Sequence, residues 1–113
     1  MNGKSPGLRM TLATQLVLRA MLAEPTKETY GLQVCQDAGL PSGTIHPILA
    51  RLERLGWVES RWEDVNPQEE GRPRRRYYKL TEDGAERARI ALAHATTTVT
   101  PLSLHLRPAG GPA

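Results

Sequence analysis

The sequence predicts a mostly α-helical domain with one small β-hairpin, in the order helix, helix, helix, hairpin, helix. Three observations carry that expectation. Between residues 40 and 57, Ile45, Ile48, Leu49, Leu52 and Leu55 recur at steps of three and four, the spacing of one helical face. Ahead of them, residues 11–23 and 28–38 show shorter helical patterns, closed by Pro25 and Gly39. Behind them, residues 57–80 alternate along two runs that flank a turn-rich centre.

The elements follow in order. Residues 1–10 are polar and contain Gly and Pro, which suggests a flexible arm. In the first helix Thr11 is the candidate cap, and Leu12, Leu16, Val17 and Ala20 share a side. In the second, Tyr30, Val34, Cys35 and Ala38 share a side. A tight turn at 39–41 leads to the third helix. Pro41 and Ser42 mark its beginning, and Thr44 as the cap would leave Pro47 in the first turn, where its missing N–H costs nothing. Gly56 ends it. Residues 57–63 read as a strand, 64–73 as a loop with Asn66-Pro67 and Gly71-Arg72-Pro73, and 74–80 as a second strand. Thr81 caps a fourth helix whose apolar stripe is Ala85, Ala88, Leu92 and Ala95, with Glu82 and Asp83 where the helix dipole favours anions. The Thr-rich run 96–100 is poor helix material, and Pro101 opens a loose tail, 101–113. Residues 11–100 thus form one domain with the winged helix-turn-helix order. No internal repeat is present.

A third helix preceded by a tight turn and followed by a basic hairpin fits a DNA groove. Its outer face carries Ser42, Thr44, His46, Ala50, Arg51 and Arg54, small, hydroxylic or cationic groups suited to base edges and phosphates. The net charge is only +3, but residues 71–79 hold five cations and no acid. A local basic strip on a nearly balanced chain favours a defined contact over general adhesion to polyanions. The bland readings are a solvated helix face and a charged hairpin tip that blocks edge pairing. The rival function is a winged-helix interaction module that binds a protein or a small-molecule messenger through the same surface.

Other chemistries find little support. The single cysteine, Cys35, excludes an intrachain disulfide and a thiolate metal cluster, and reads as a small buried hydrophobe. His46, His94 and His105 share no ligand spacing, so no metal or cofactor is expected. There is no nucleophile elbow and no phosphate loop, so no enzyme is expected. No signal peptide or membrane span is legible, which places the chain in the cytoplasm. With 39% hydrophobic residues and no Phe, the core must be aliphatic, with Trp57, Trp62 and the Tyr residues as its few large pieces. So small a core favours a dimer, built from the first and fourth helices.

Several motifs in order carry a family resemblance. They are Tyr30-Gly31, Ser42-Gly43-Thr44-Ile45-His46-Pro47, Arg51-Leu52-Glu53, Gly56-Trp57-Val58-Glu59, Trp62-Glu63, the run from Gly71 to Thr81, and Gly84. Together they resemble the short PadR-type bacterial transcriptional regulators, over roughly residues 11–95. The resemblance implies a homodimer on a palindromic operator, usually as a repressor, sometimes released by a small aromatic or hydrophobic effector near the dimer interface. Trp57 and Trp62 are the candidate effector contacts. The expected DNA-contacting set is Tyr30, Ser42, Gly43, Thr44, His46, Pro47, Arg51, Arg54, Arg72, Arg74, Arg75 and Arg76. The chain departs from the family in carrying His46 where Tyr is usual, and in a short, Thr-rich C-terminal helix interrupted by Pro101.

Overall fold

The computed structural model describes residues 8–95. The first seven positions of the expected arm, the Thr-rich run and the tail from Pro101 lie outside the described residues.

Helix α1 spans Leu12–Leu22 and is capped by Thr11, whose Oγ1 accepts from the Thr14 amide at 3.1 Å. Strand β1 is Thr29–Tyr30, α2 is Gly31–Ala38 and α3 is Ser42–Arg54. Strands β2 (Val58–Trp62) and β3 (Arg76–Leu80) enclose a one-turn helix, α4 (Pro67–Glu70). Helix α5 covers residues 82–95. The core is aliphatic: Val17, Leu18 and Met21 of α1, Val34 of α2, and Ile45, Leu49 and Leu52 of α3 are buried with Val58, Leu80, Ala85, Ala88 and Leu92. Leu8 and Met10, at the end of the expected arm, pack partly buried against it. Cys35 is half-buried and touches the same core.

The expected hairpin is present, with the antiparallel register Val58↔Leu80 through Trp62↔Arg76. It gains a third strand. Residues 29 and 30, expected in the second helix, are extended and pair with β3 as Thr29↔Tyr78 and Tyr30↔Tyr77, giving the order β1-β3-β2. Thr and Tyr favour strands, and the free edge of β3 supplies the partner their backbone needs.

Three further expectations are corrected. Helix α3 starts at Ser42, as Pro41 and Ser42 mark it, but its cap residue is Pro41 and not Thr44; both the Thr44 and Ile45 amides donate to Pro41 O. Pro47 therefore sits inside the helix, where it cannot donate to Gly43 O. That carbonyl belongs to an exposed residue, so water can replace the lost bond. The loop 64–73 contains α4, because Asn66 caps it by accepting from the Gln68 amide and Gly71 closes it at φ 70°. Trp62 is not a core piece but stands 57% exposed, while Trp57 packs partly buried against the core.

A close junction joins the end of α3 to the sheet and to α5. Gly56 turns the chain out of α3 at φ 80°. Thr81 then holds that turn: its amide donates to Trp57 O at 2.9 Å and its hydroxyl to Gly56 O at 2.9 Å. The same hydroxyl accepts from the Gly84 amide at 2.8 Å, capping α5 as expected. Gly84 is buried so closely that a Cβ there would stand 1.9 Å from Trp57 O. A backbone carbonyl cannot step aside without breaking this junction. Gly84→Ala should therefore destabilise the chain by about 3 kcal/mol, the overpacking range, measured as a lower urea midpoint at unchanged slope.

Candidate nucleic-acid interface

Helix α3 buries Ile45, Leu49 and Leu52, and so turns the remaining arc of its surface outward. Ser42, His46, Ala50 and Arg54 recur every four residues along that arc, and Gly43, Pro47 and Arg51 form the adjacent row; all are exposed. Thr44 is half-buried at its margin. The one acid of α3, Glu53, points away from this arc. Its carboxylate accepts from Ser60 Oγ at 2.5 Å and lies 3.7 Å from Arg76 Nη2. Arg51 and Arg54 have no ion-pair partner among the described residues. The outer surface of α3 is therefore cationic, hydroxylic and free of carboxylate.

The wing is organised by a single carboxylate. Glu63 Oε1 and Oε2 accept from the two ends of the Arg72 guanidinium at 2.8 and 3.0 Å. Oε1 also accepts from the Arg75 amide at 3.1 Å, and Oε2 from the Tyr77 hydroxyl at 3.4 Å. The Arg72 fork, helped by the Arg75 amide, holds the Glu63 carboxyl down at about 2 against partial desolvation. The same pairing raises Arg72. A second fork closes the far side of the sheet, where Arg61 Nε and Nη2 donate to Glu28 at 2.6 and 2.7 Å. It lowers Glu28 and raises Arg61.

The structure thus sorts the basic strip. Arg72 is neutralised by Glu63, and Lys79 lies 3.7 Å from Glu59. Arg74 donates only to a carbonyl, Val65 O at 2.9 Å, and is exposed. Arg75 lies over the Tyr30 ring at 4.3 Å, and Tyr30 meets Tyr77 edge-on at 6.0 Å. Arg76 donates to Ser60 Oγ at 3.1 Å and covers the exposed Trp62 ring at 5.0 Å. A carbonyl or an aromatic ring orients a guanidinium without cancelling its charge, so Arg74 and Arg75 stay uncompensated among the described residues, whereas Arg76 also lies 3.7 Å from the Glu53 carboxylate. Tyr30, expected among the DNA contacts, sits beneath Arg75 as its platform. Trp57 and Trp62, the candidate effector contacts, stand apart in environment, one against the core and the other on the wing surface.

Sequence reasoning missed the part played by four residues. Arg9 faces a groove together with Arg51, between Thr11 and Pro47; its place in a polar arm gave no signal. Glu63 and Glu53 looked like ordinary surface acids, because their partners are 9 and 7 residues away across a strand or turn. Gly31 lies against the His46 ring.

The family model for PadR-like transcriptional regulators matches residues 20–90. Solved structures are similar in fold. A PadR family transcription regulator from Clostridium difficile R20291 aligns with a TM-score of 0.63 at 22% identity, over 86% of this chain and 100% of that one. One from Eggerthella lenta DSM 2243 aligns at 0.62 and 23% identity, over 85% and 86%. A transcriptional regulator homologue from Pyrococcus horikoshii OT3 aligns at 0.62 and 17% identity, over 81% and 84%. No curated protein matches the chain.

The Glu63 latch has a pH signature. A carboxyl lowered on folding contributes stability that is complete above its unfolded value and disappears as pH falls through the folded one. Stability should therefore decline between about pH 4.5 and about pH 2. Glu63→Gln should lower stability at pH 7 and flatten the profile across that window, as followed by acid titration of circular dichroism.

Proposed function

This chain belongs to the PadR-like family of transcriptional regulators, and from that premise we propose a dimeric, sequence-specific DNA-binding repressor acting on a palindromic operator. The observation that carries this reading is the outer arc of α3. It is exposed, free of carboxylate, bears Arg51 and Arg54 without an ion-pair partner among the described residues, and is coupled through the Glu53–Arg76 contact to a wing whose Arg74 and Arg75 face no carboxylate among the described residues. In the proposed complex Ser42, Gly43, Thr44, His46 and Pro47 enter the major groove from the N-terminal end of α3. Arg51 and Arg54 take phosphates beside it. Arg74, Arg75 and Arg76 follow the flanking backbone or minor groove, with Tyr30 supporting Arg75. Arg72 acts through Glu63 rather than on DNA.

The second copy is proposed to cover α1 and α5, where Leu12 is 70% and Ile90 52% exposed. A small aromatic or hydrophobic effector, if the chain takes one, would meet Trp62, the exposed ring of the pair. The working unit is residues 11–100, acting in the cytoplasm. No helix among the described residues is long and apolar enough to cross a membrane.

Electrophoretic shift assays test the assignment, using a duplex selected by the protein from a randomised library and a random duplex of equal length. Thr44→Ala should cost about 1–3 kcal/mol on the selected duplex and little on the random one. Arg74→Ala should weaken both and reduce the slope of log affinity against log salt by about 0.9. Equal losses on both duplexes for Thr44→Ala would remove the reading role of α3, and no preference of the wild-type chain for any duplex would favour the protein- or messenger-binding module. Sedimentation of the wild-type chain should give a dimer, and Ile90→Glu should shift it toward monomer.

A further inference from the structure

The groove-facing arc of α3 rests on the start of α2 at one point. A Cβ built on Gly31 would stand 2.8 Å from His46 Cε1 and 3.5 Å from His46 Nε2. Carbon atoms in contact prefer about 3.5–4.0 Å, so no side chain fits at residue 31 while the imidazole keeps its place. The backbone gives no other reason for glycine. The positive-φ glycines of the described chain are Gly39, Gly56 and Gly71, and Gly31 is not among them. It is the first residue of α2 after its cap, Tyr30. Backbone conformation therefore does not call for glycine here, whereas the neighbouring ring, in its present place, does.

The contrast with Gly84 defines what kind of requirement this is. At Gly84 the obstacle is a backbone carbonyl, which cannot move without disrupting the fold. At Gly31 the obstacle is the end of an exposed side chain, which can swing to another rotamer. A methyl group at residue 31 leaves the fold standing and redirects the imidazole.

We propose that Gly31 is a positioning residue for sequence reading: by leaving room for the His46 ring against the start of α2, it sets the direction in which that ring meets a base. This rests on the DNA-binding reading given above. A seated ring is ordered before the duplex arrives, so its contact loses less rotamer freedom on binding. A displaced ring offers its nitrogens to a different base edge or to a phosphate. Gly31 touches no DNA itself, and its effect passes wholly through His46.

A double-mutant cycle of Gly31→Ala and His46→Ala isolates this coupling, read with the selected and the random duplex together with thermal melting. Gly31→Ala should melt at or above the wild-type temperature. Its affinity for the selected duplex should fall about tenfold, near the lower end of what one lost base contact costs, with random-duplex affinity unchanged. In the His46→Ala background, adding Gly31→Ala should change neither affinity. Selection repeated with Gly31→Ala should return a duplex altered at one position of each half-site. The His46 Cε1–H resonance should move in Gly31→Ala while that of His94 stays. An unchanged selected-to-random ratio in Gly31→Ala, or an equal loss with and without His46, overturns the role of Gly31 and leaves the DNA-binding reading standing. A wild-type chain that prefers no duplex overturns both.

Discussion

The fold depends on one close approach of backbone to backbone, where Gly84 lies beneath the Trp57 carbonyl and Thr81 bridges the two. Helix α3 ends at this point, β2 begins there, β3 returns to it and α5 departs from it. Four elements therefore take their relative directions from a handful of main-chain hydrogen bonds and the absence of one side chain. The aliphatic core then fills the space those directions create. A chain of this size with no Phe has little apolar area to spare, so the angle between helix and sheet cannot be left to side-chain packing alone. With that angle fixed, the outer arc of α3 and the basic arm of the wing belong to one rigid surface.

On that surface the arrangement of acids matters more than the number of bases. Five cations lie between residues 71 and 79, but Glu63 and Glu59 draw two of them into contacts within the chain. Glu53 ties Ser60 and faces Arg76, joining α3 to both long strands. Arg74 and Arg75 are oriented by a carbonyl and an aromatic ring, which leave their charge available to a polyanion. Like-charged neighbours are thus spread apart and aimed, at the cost of three cations that face a carboxylate within the chain.

Much of this was legible in the sequence wherever periodicity was long enough to read. The buried face of α3, the helix stops at Gly39 and Gly56, the Thr81 cap and the pairing of β2 with β3 all follow from local pattern, and the family profile spans the same region. What escaped was set by tertiary partners. A two-residue strand has no period, so Thr29–Tyr30 read as helix until the edge of β3 supplied its ladder. Pro47 argued for a later start to α3, because a lost main-chain bond is tolerable at an exposed carbonyl and sequence does not reveal exposure. Trp62 looked like core on composition, yet its strand position pairs with Arg76 near the wing, where the guanidinium covers its ring. Arg72 looked like its neighbours in the basic run. Only the fold shows that it alone faces the Glu63 carboxylate with both ends of its fork. The seat of His46 on Gly31 joins residues 15 positions apart through helix crossing, which no linear motif encodes.

The position of the Glu63–Arg72 latch bears on how such a protein can diversify. It closes the chain at the neck of the tip, below residues 64–71, which carry their own small helix with its own cap at each end. The strand register is settled beneath the neck and does not consult what lies beyond it. Lengthening a loop whose ends are already tied is cheap, about 0.6 kcal/mol for each doubling. The tip is therefore an appendage on which insertions could accumulate and new partners be tried, while the geometry at the base of the wing is inherited intact.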